Sequence, residues 1–384
     1  MKHVMLLTAA TMLLLLPAPA RADTESPALA KYRARVGLAV KKALAFIATR
    51  QRPDGCFDPR GPSGPLPSNA LAGLAGMAYL SVGHTPGRGP YGDVLNRCID
   101  YILATPVGPH VPNVPGGSAE GYLARGNPYG RMYSHAIATL FLCEVSGMVD
   151  PERQKKIDVL LPKALKVILD AQAVKKEARF VGGWRYKPDS PDSDLSVSGW
   201  CLMALRSARL NGAPVPAEAI KKAIGFVNRC YNGGKGHRGP HPSTFHNWPS
   251  FNYQPGTTLA PHNAHGTSAV GLFCREICGY HDDEINRRCA GFVMAWAGHS
   301  LPAAPGRRAV IRPSEYVTYY ASQAMFQLGG TYWERFAPQL YKYVLNSQGT
   351  DGSWHQTNYG RVYETAMYTL ALTVTYRQLP IYQR

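Results

Sequence analysis

The stretch GGWRYKPDSPDSDLSVSGWCLMALRSARLNG, Gly182 to Gly212, decides how this chain folds. Two glycines and Trp184 make a turn, and a loop rich in proline and aspartate follows. Asp192, Ser193 and Asp194 then stand where a helix N-cap is expected, because their short oxygens accept the unpaired N–H groups of a first helical turn. From Leu195 the apolar positions Val197, Trp200, Leu202, Met203, Leu205 and Leu210 predict a helix with a broad buried face. Gly212 supplies the stop, since glycine reaches positive φ without steric cost.

The rest of the chain repeats this plan: a leading helix, a long Gly/Pro-rich loop, a more apolar second helix and a closing glycine. The leading helices are predicted at 36–50, 94–103, 160–171, 219–230, 285–297 and 336–346. The second helices are predicted at 69–80, from about His135, from Leu195, from about Gly266, at 316–328 and at 363–376. Closing glycines fall at Gly83, Gly147, Gly212, Gly279 and Gly329. One hairpin cannot cover its own apolar faces, so neighbours must stack. Six hairpins of this length predict a closed ring, with an open solenoid as the alternative. The leading helices carry the charge (Lys41, Lys42, Lys163, Lys166, Lys221, Lys222) and so belong outside.

The loop openings QRPDGCF (Gln51–Phe57), GGWRY (Gly182–Tyr186) and SQGTDGSW (Ser347–Trp354) resemble the glutamine–tryptophan repeats of squalene and terpene cyclases. From about Lys31 to the C-terminus the chain is similar in organisation to the α/α toroid those cyclases share with protein prenyltransferase β subunits. The resemblance implies an all-α fold, an α/α toroid of about six helical hairpins forming a single domain over residues 23–384.

PDSDLS, Pro191 to Ser196, resembles the cyclase acid motif, in which Asp-x-Asp-Asp precedes a threonine. Asp192 and Asp194 match the first two acids, Leu195 replaces the third and Ser196 the threonine. The resemblance makes Asp194 the acid that protonates an alkene and Asp192 its neighbouring carboxylate; a helix cap is the structural alternative. Against the prenyltransferase zinc site, Asp194 matches the aspartate, but Ser196 stands where the thiolate ligand belongs, so no zinc or other cofactor is implied. AHGTSAVGL, Ala264 to Leu272, resembles the prenyltransferase segment whose histidine contacts a diphosphate, which gives His265 that role. Here it follows the GGW unit instead of preceding it.

In a ring the N-terminal turns of the second helices would rim one mouth, placing Asn69, His135, Ser198, Thr267, Tyr319 and Glu364 there. Trp200, Tyr319, Tyr320, Tyr363 and Tyr368 would line the cavity, since aromatic faces hold apolar chains, sugars or cations. The 22 tyrosines against 11 phenylalanines suit a partly wet cavity. His237, His241, His246, His262 and His265 crowd one long loop, with spacings that match no familiar metal-ligand pattern.

At the N-terminus, basic Lys2 and His3, apolar Val4–Leu16 and Ala20-Arg21-Ala22 predict a secretory signal peptide over residues 1–22 and a secreted or periplasmic mature chain. No later segment is apolar enough to span a bilayer, so the cleaved chain is not an integral membrane protein. The net charge of +17 favours anionic partners. No basic run with interleaved aromatics marks a nucleic-acid binder. Eight cysteines lie beyond the leader; one or two disulfides are expected, with Cys278 and Cys289 the candidate pair. Three functions fit this sequence. The first is an exported toroid binding an isoprenoid, lipid or glycan ligand, or a protein partner. The second is an isoprenoid enzyme with Asp194 as acid. The third is a glycan hydrolase or lyase, with Asp194 and Glu364 as its carboxylates.

Overall fold

The computed structural model describes residues 27–57, 68–105, 119–124, 131–233, 249–257, 261–281, 283–298, 314–355 and 360–382. The expected leader lies outside these residues, as do His237, His241 and His246 of the histidine-rich loop. A short α1 (Pro27–Ala30) leads into α2 (Arg33–Thr49), followed by α3 (Ser68–Leu80), α4 (Gly92–Leu103) and α5 (Arg131–Val145). Then come α6 (Pro151–Ala173), α7 (Leu195–Leu210), α8 (Ala217–Cys230) and α9 (Pro261–Ile277). The last four are α10 (Glu284–Gly298), α11 (Glu315–Leu328), α12 (Gly330–Asn346) and α13 (Arg361–Leu372).

Helices α3, α5, α7, α9, α11 and α13 each pack against the next, and α13 packs back on α3. The ring is closed. The even-numbered helices α2 to α12 lie outside it, each against an inner helix of its own or the adjoining hairpin. Burial separates the layers: α5 is buried continuously from Ser134 to Val145, whereas α2 buries only the stripe Val36, Ala39, Val40, Ala43, Leu44, Phe46 and Ile47.

The glutamine–tryptophan loops are clasps. Gln172 Nε2 donates to Gly182 O and to Ala219 O of the next outer helix, both at 2.9 Å. Gln348 Nε2 does the same with Gly352 O (2.9 Å) and Ala39 O (2.8 Å), joining the last outer helix to the first. Gln51 repeats it on Gly55 O and Val94 O. The glycine of each loop presses on the next outer helix: a Cβ on Gly182 would lie 2.2 Å from Lys222 O, and Gly55 and Gly352 sit equivalently against Arg97 and Lys42. The loop aromatics wedge between the layers, with Trp184 Nε1 donating to Ile168 O (2.7 Å) and Trp354 Nε1 to Val344 O (2.9 Å). Loop backbone N–H groups are taken by the inner helices: Trp184 by Ser198, Phe251 by Ser268, Trp354 by Thr365 and Leu123 by His135 Nδ1.

All five closing glycines have positive φ, between 66° and 89°. Helix α6 begins at Pro151, well before the expected Leu160, because its first half is outer surface with little apolar stripe; Asp150 caps it by accepting Arg153 N–H at 3.1 Å. The last helix stops at Leu372. Residues Leu379 to Tyr382 then tuck under the ring, where Tyr382 meets Tyr319 hydroxyl to hydroxyl at 2.7 Å and its carbonyl accepts Gln327 Nε2 at 2.9 Å. The expected disulfides are absent: all eight cysteines are free, and Cys289 turns its thiol to Ser268 O in the wall between α9 and α10.

Gly182→Ala should cost about 2–4 kcal/mol in denaturant unfolding, combining positive φ with a clash against Lys222. Gly212→Ala, with similar φ but open space around its Cβ, should cost only about 1–2 kcal/mol. Equal losses would refute the close approach as the reason for the clasp glycine. Thiol titration of the unfolded, unreduced protein should count eight.

Candidate functional site

The inner helices start at a common end of the ring, and helical phase splits their first turns. His135, Ser198 and Thr365 face outward to the loop N–H groups. Two residues earlier is about 200° around the helix, so Tyr133, Ser196 and Tyr363 face the other way, as does Tyr316 on α11. Tyr133, Tyr316 and Tyr363 are half-buried, and Tyr316 lies close enough to Tyr133, Tyr363 and Asp194 to feel their charges. Tyr186 and Tyr253, also half-buried, come from the loops around Arg185.

Asp194 is the N-cap of α7, with fully buried side chain. Its Oδ1 accepts Val197 N–H at 2.9 Å and the Ser196 hydroxyl at 2.6 Å; its Oδ2 lies 3.4 Å from Arg185 Nη1. Tyr253 stands beside it and accepts Arg185 Nη1 at 3.1 Å. Burial pushes the carboxyl above the ordinary aspartate value of 3.8, while Ser196, the Val197 N–H, Arg185 and Tyr253 all pull it back. Asp192 is half-exposed and stands on the other side of Arg185, 3.4 Å from Nε, and accepts Gln254 Nε2 at 3.1 Å. The guanidinium thus separates the two acids, and it lies over the Tyr186 and Tyr253 rings at 4.7 and 5.3 Å. Beside it an open hollow of about 410 Å³ is lined by Arg185, Tyr186, Lys187, Asp189, Ser190 and Asp192.

Below the mouth the axis is filled. Trp200 lies one turn below Ser196, and Tyr320 one turn below Tyr316. Trp200 stacks on Tyr319 with centroids 5.6 Å apart and 5° between planes, and Tyr320 closes edge-on at 5.6 Å from Trp200 and 4.9 Å from Tyr319. Tyr319 and Tyr320 are 0% exposed and Trp200 2%, so these rings touch one another and their neighbours, not a cavity.

The remaining expected rim residues are spent on structure. His135 accepts Leu123 N–H at Nδ1 (3.0 Å) and meets Ala164 O with Nε2 (3.1 Å), and burial lowers its pKa to about 4. His265 is buried with its ring stacked on Phe292 of the outer layer at 4.2 Å. Asn69 donates to Thr105 and Leu123 O, and Thr267 donates to Phe251 O. Glu364 is buried near Tyr368, whose ring packs on Trp354 at 5.5 Å. Among the described residues no group of three or more His, Cys, Asp and Glu side chains could hold a metal ion.

This ring has counterparts among known structures. The type II terpene cyclase MstE of Scytonema, ligand-free, superposes over 90% of this chain and all of its own, with a TM-score of 0.50 and 11% identity. The α-1,6-mannanase of Salegentibacter sp. superposes over 88% of this chain and 98% of its own, with a TM-score of 0.53 and 11% identity. An inactive variant of that mannanase, in complex with α-1,6-mannotriose, gives 0.52 at 11% identity, over 88% of this chain and 99% of its own. The chain is an α/α toroid. At such identity the likeness carries the fold alone. No protein-family model matches the chain, and no curated protein matches it in sequence.

Of the residues singled out from the sequence, Asp194, Asp192 and Tyr363 lie at this mouth, beside Tyr133, Arg185, Tyr186 and Tyr316, which the sequence reading did not single out. Arg185 and Tyr186 lay in the quoted GGWRY; Tyr133 and Tyr316 needed the toroid's helical phase.

The raised carboxyl of Asp194 sets the sign of one pH effect. The folded state holds this proton to higher pH than the unfolded chain, so the group costs stability as pH rises above 3.8 through its folded pKa. Asp194→Asn keeps a capping oxygen and should remove that fall. Urea unfolding across pH 3.5–6 should show a flatter profile for the variant; parallel profiles would refute the shift.

Proposed function

We propose that the toroid binds a carbohydrate across its tyrosine-rimmed mouth. One observation carries this reading: among the described residues Trp200, Tyr319 and Tyr320 are buried against one another below the mouth, while the mouth above offers half-buried phenols, a guanidinium and carboxylates. Aromatic faces with a few fixed polar groups suit a sugar ring, which is apolar on its faces and hydroxylated at its edge. A toroid of this fold is an α-1,6-mannanase, so the fold accommodates a glycan. Cleavage by Asp194 and Glu364 is not part of the reading. They start α7 and α13, opposite members of a six-helix ring, whose axes lie about 16–20 Å apart at ordinary helix spacing; hydrolytic pairs stand roughly 5–10 Å apart. Export to the periplasm or medium, directed by residues 1–22, would bring the mouth to such ligands.

A second reading, isoprenoid cyclisation started by Asp194, draws on the burial that raises its carboxyl. The donors converging on Asp194 oppose it, since they favour the ionised form over a stored proton.

Titration calorimetry against neutral oligosaccharides, beginning with α-1,6-mannotriose, tests the proposal. The chain should bind at least one, and Tyr186→Ala should weaken it by about tenfold or more, the loss of a stacked ring with its hydrogen bond. No binding to any oligosaccharide, with turnover of a polyprene that Asp194→Asn abolishes, would replace this reading by the second.

A further inference from the structure

The end of the ring opposite the mouth is closed by the last described stretch of the chain. After α13 the backbone turns at Arg377, the one non-glycine among the described residues at positive φ (52°), a conformation with a steric cost for any residue that carries a Cβ. Leu379, Ile381 and Tyr382 are then buried. Tyr382 lies along α11, its carbonyl accepting Gln327 Nε2 at 2.9 Å and its hydroxyl meeting that of Tyr319 at 2.7 Å. Its ring packs near Phe273 of α9, centroids 6.1 Å apart. Ile381 N–H donates to Glu144 Oε2 at the foot of α5, a long bond at 3.4 Å, and the Ser207 hydroxyl of α7 donates to Oε1. Glu144 is only 1% exposed, and both of these donors are neutral. Among the described residues no cation faces it. The titratable groups that feel its charge are Cys143 on α5, Tyr319 on α11 and Tyr382 itself, and α3, α6 and α7 bring no charged group to it.

We propose that Leu379 to Tyr382 form a proton-operated strap, seated on the foot of the ring while Glu144 carries its proton and released when Glu144 loses it. A carboxylate under the seated strap has no counter-charge and is held by one hydroxyl and one long amide bond, so its removal from water is poorly repaid. Departure of the strap lets water reach it. Burial accordingly pushes the Glu144 carboxyl up from 4.5 to about 7, against the pull of Ser207 and of the Ile381 N–H. The seated form holds this proton to higher pH than the released form. Seating is therefore strongest below 4.5, weakens as pH rises toward about 7 and changes little beyond. One proton is involved, so the released population grows by at most about tenfold per pH unit within that window. A residue with a Cβ gains by leaving positive φ, so the joint at Arg377 favours release at any pH. Release also strips Tyr319 of its partner hydroxyl beneath Trp200, on which it stacks, so strap and mouth share one aromatic column. The inference needs no ligand and stands apart from the carbohydrate reading.

Hydrogen exchange of the full chain, read by mass spectrometry on the peptide that carries Ile381 and Tyr382, tests this directly. Rates are divided by their intrinsic values at each pH, which leaves the protection conferred by structure. Between pH 5 and pH 8 the protection of these amides should fall by about tenfold or more and level off near the top of that range. At pH 8 they should exchange at least about tenfold faster than the amides of α5, as a strap that opens while the ring stays folded. Glu144→Gln keeps the shape and an acceptor oxygen but cannot ionise, so its strap should stay as protected at pH 8 as at pH 5. A flat profile in the wild type would overturn the proposal. So would an equal fall in Glu144→Gln, which would assign the pH dependence to another group. A common rate for strap and α5 would mean that the amides are released by unfolding of the whole ring, and the strap would be refuted.

Discussion

A buried glutamine amide carries two protons in fixed, divergent directions, and this chain uses them to tie each clasp loop to the next outer helix. Gln51, Gln172 and Gln348 each hold a carbonyl of their own loop and one near the start of the following helix. Leaving such carbonyls buried and unpaired would cost more than the bonds themselves return, so the loop has one acceptable position. That position demands glycine, because the loop backbone then runs against the neighbour's backbone with no room for a Cβ. Gln348 makes the same bond to α2 that Gln172 makes to α8. Ring closure is therefore the repeat contact made once more, between chain ends far apart in sequence.

The clasp also settles where polar residues of the inner helices point. A loop bent this tightly leaves the N–H of its buried apolar residue facing the inner helix, which must supply an acceptor. Ser198, Ser268, Thr365 and His135 meet that need. The rim that a ligand meets consists of residues set half a turn away. Ser198 shows the division within one residue: it accepts Trp184 N–H and donates to Asp194 O at 2.6 Å, so it bonds only the wall.

This division explains what the sequence made legible. Closing glycines, the capping aspartate and the two-helix repeat are local signals, and Asp194, Gly83, Gly147, Gly212, Gly279 and Gly329 do what local rules ask of them. Helix phase relative to an axis is not local. His135 and Ser198 read as rim residues because they lie in first turns, and only the packed ring shows that they face outward. The same holds for Trp200, Tyr319 and Tyr320: composition marks them as aromatic, but whether they line a hollow or fill it depends on how closely six helices approach. Gly199, whose Cβ would lie 2.7 Å from Val270, shows how close that is between α7 and α9. The cysteines were misread for a related reason. The export expected from the sequence would permit disulfides, yet seven of the eight are buried in walls already packed, where a thiol serves as a small hydrophobe.

Filling the axis changes what Asp194 can do. In a hollow toroid a buried carboxyl faces an apolar cavity, and desolvation with no donors favours the protonated form that an acid catalyst needs. Here desolvation acts on a group that also caps a helix and receives Ser196 and Arg185. The third acid of the cyclase motif, which would oppose ionisation, is Leu195, completely buried at the head of α7. Asp192, the acid that remains, is held away by the guanidinium between the two carboxylates. Burial holds the proton of Asp194 to higher pH than in the unfolded chain, while the helix cap, Ser196 and Arg185 draw it back toward the charged form.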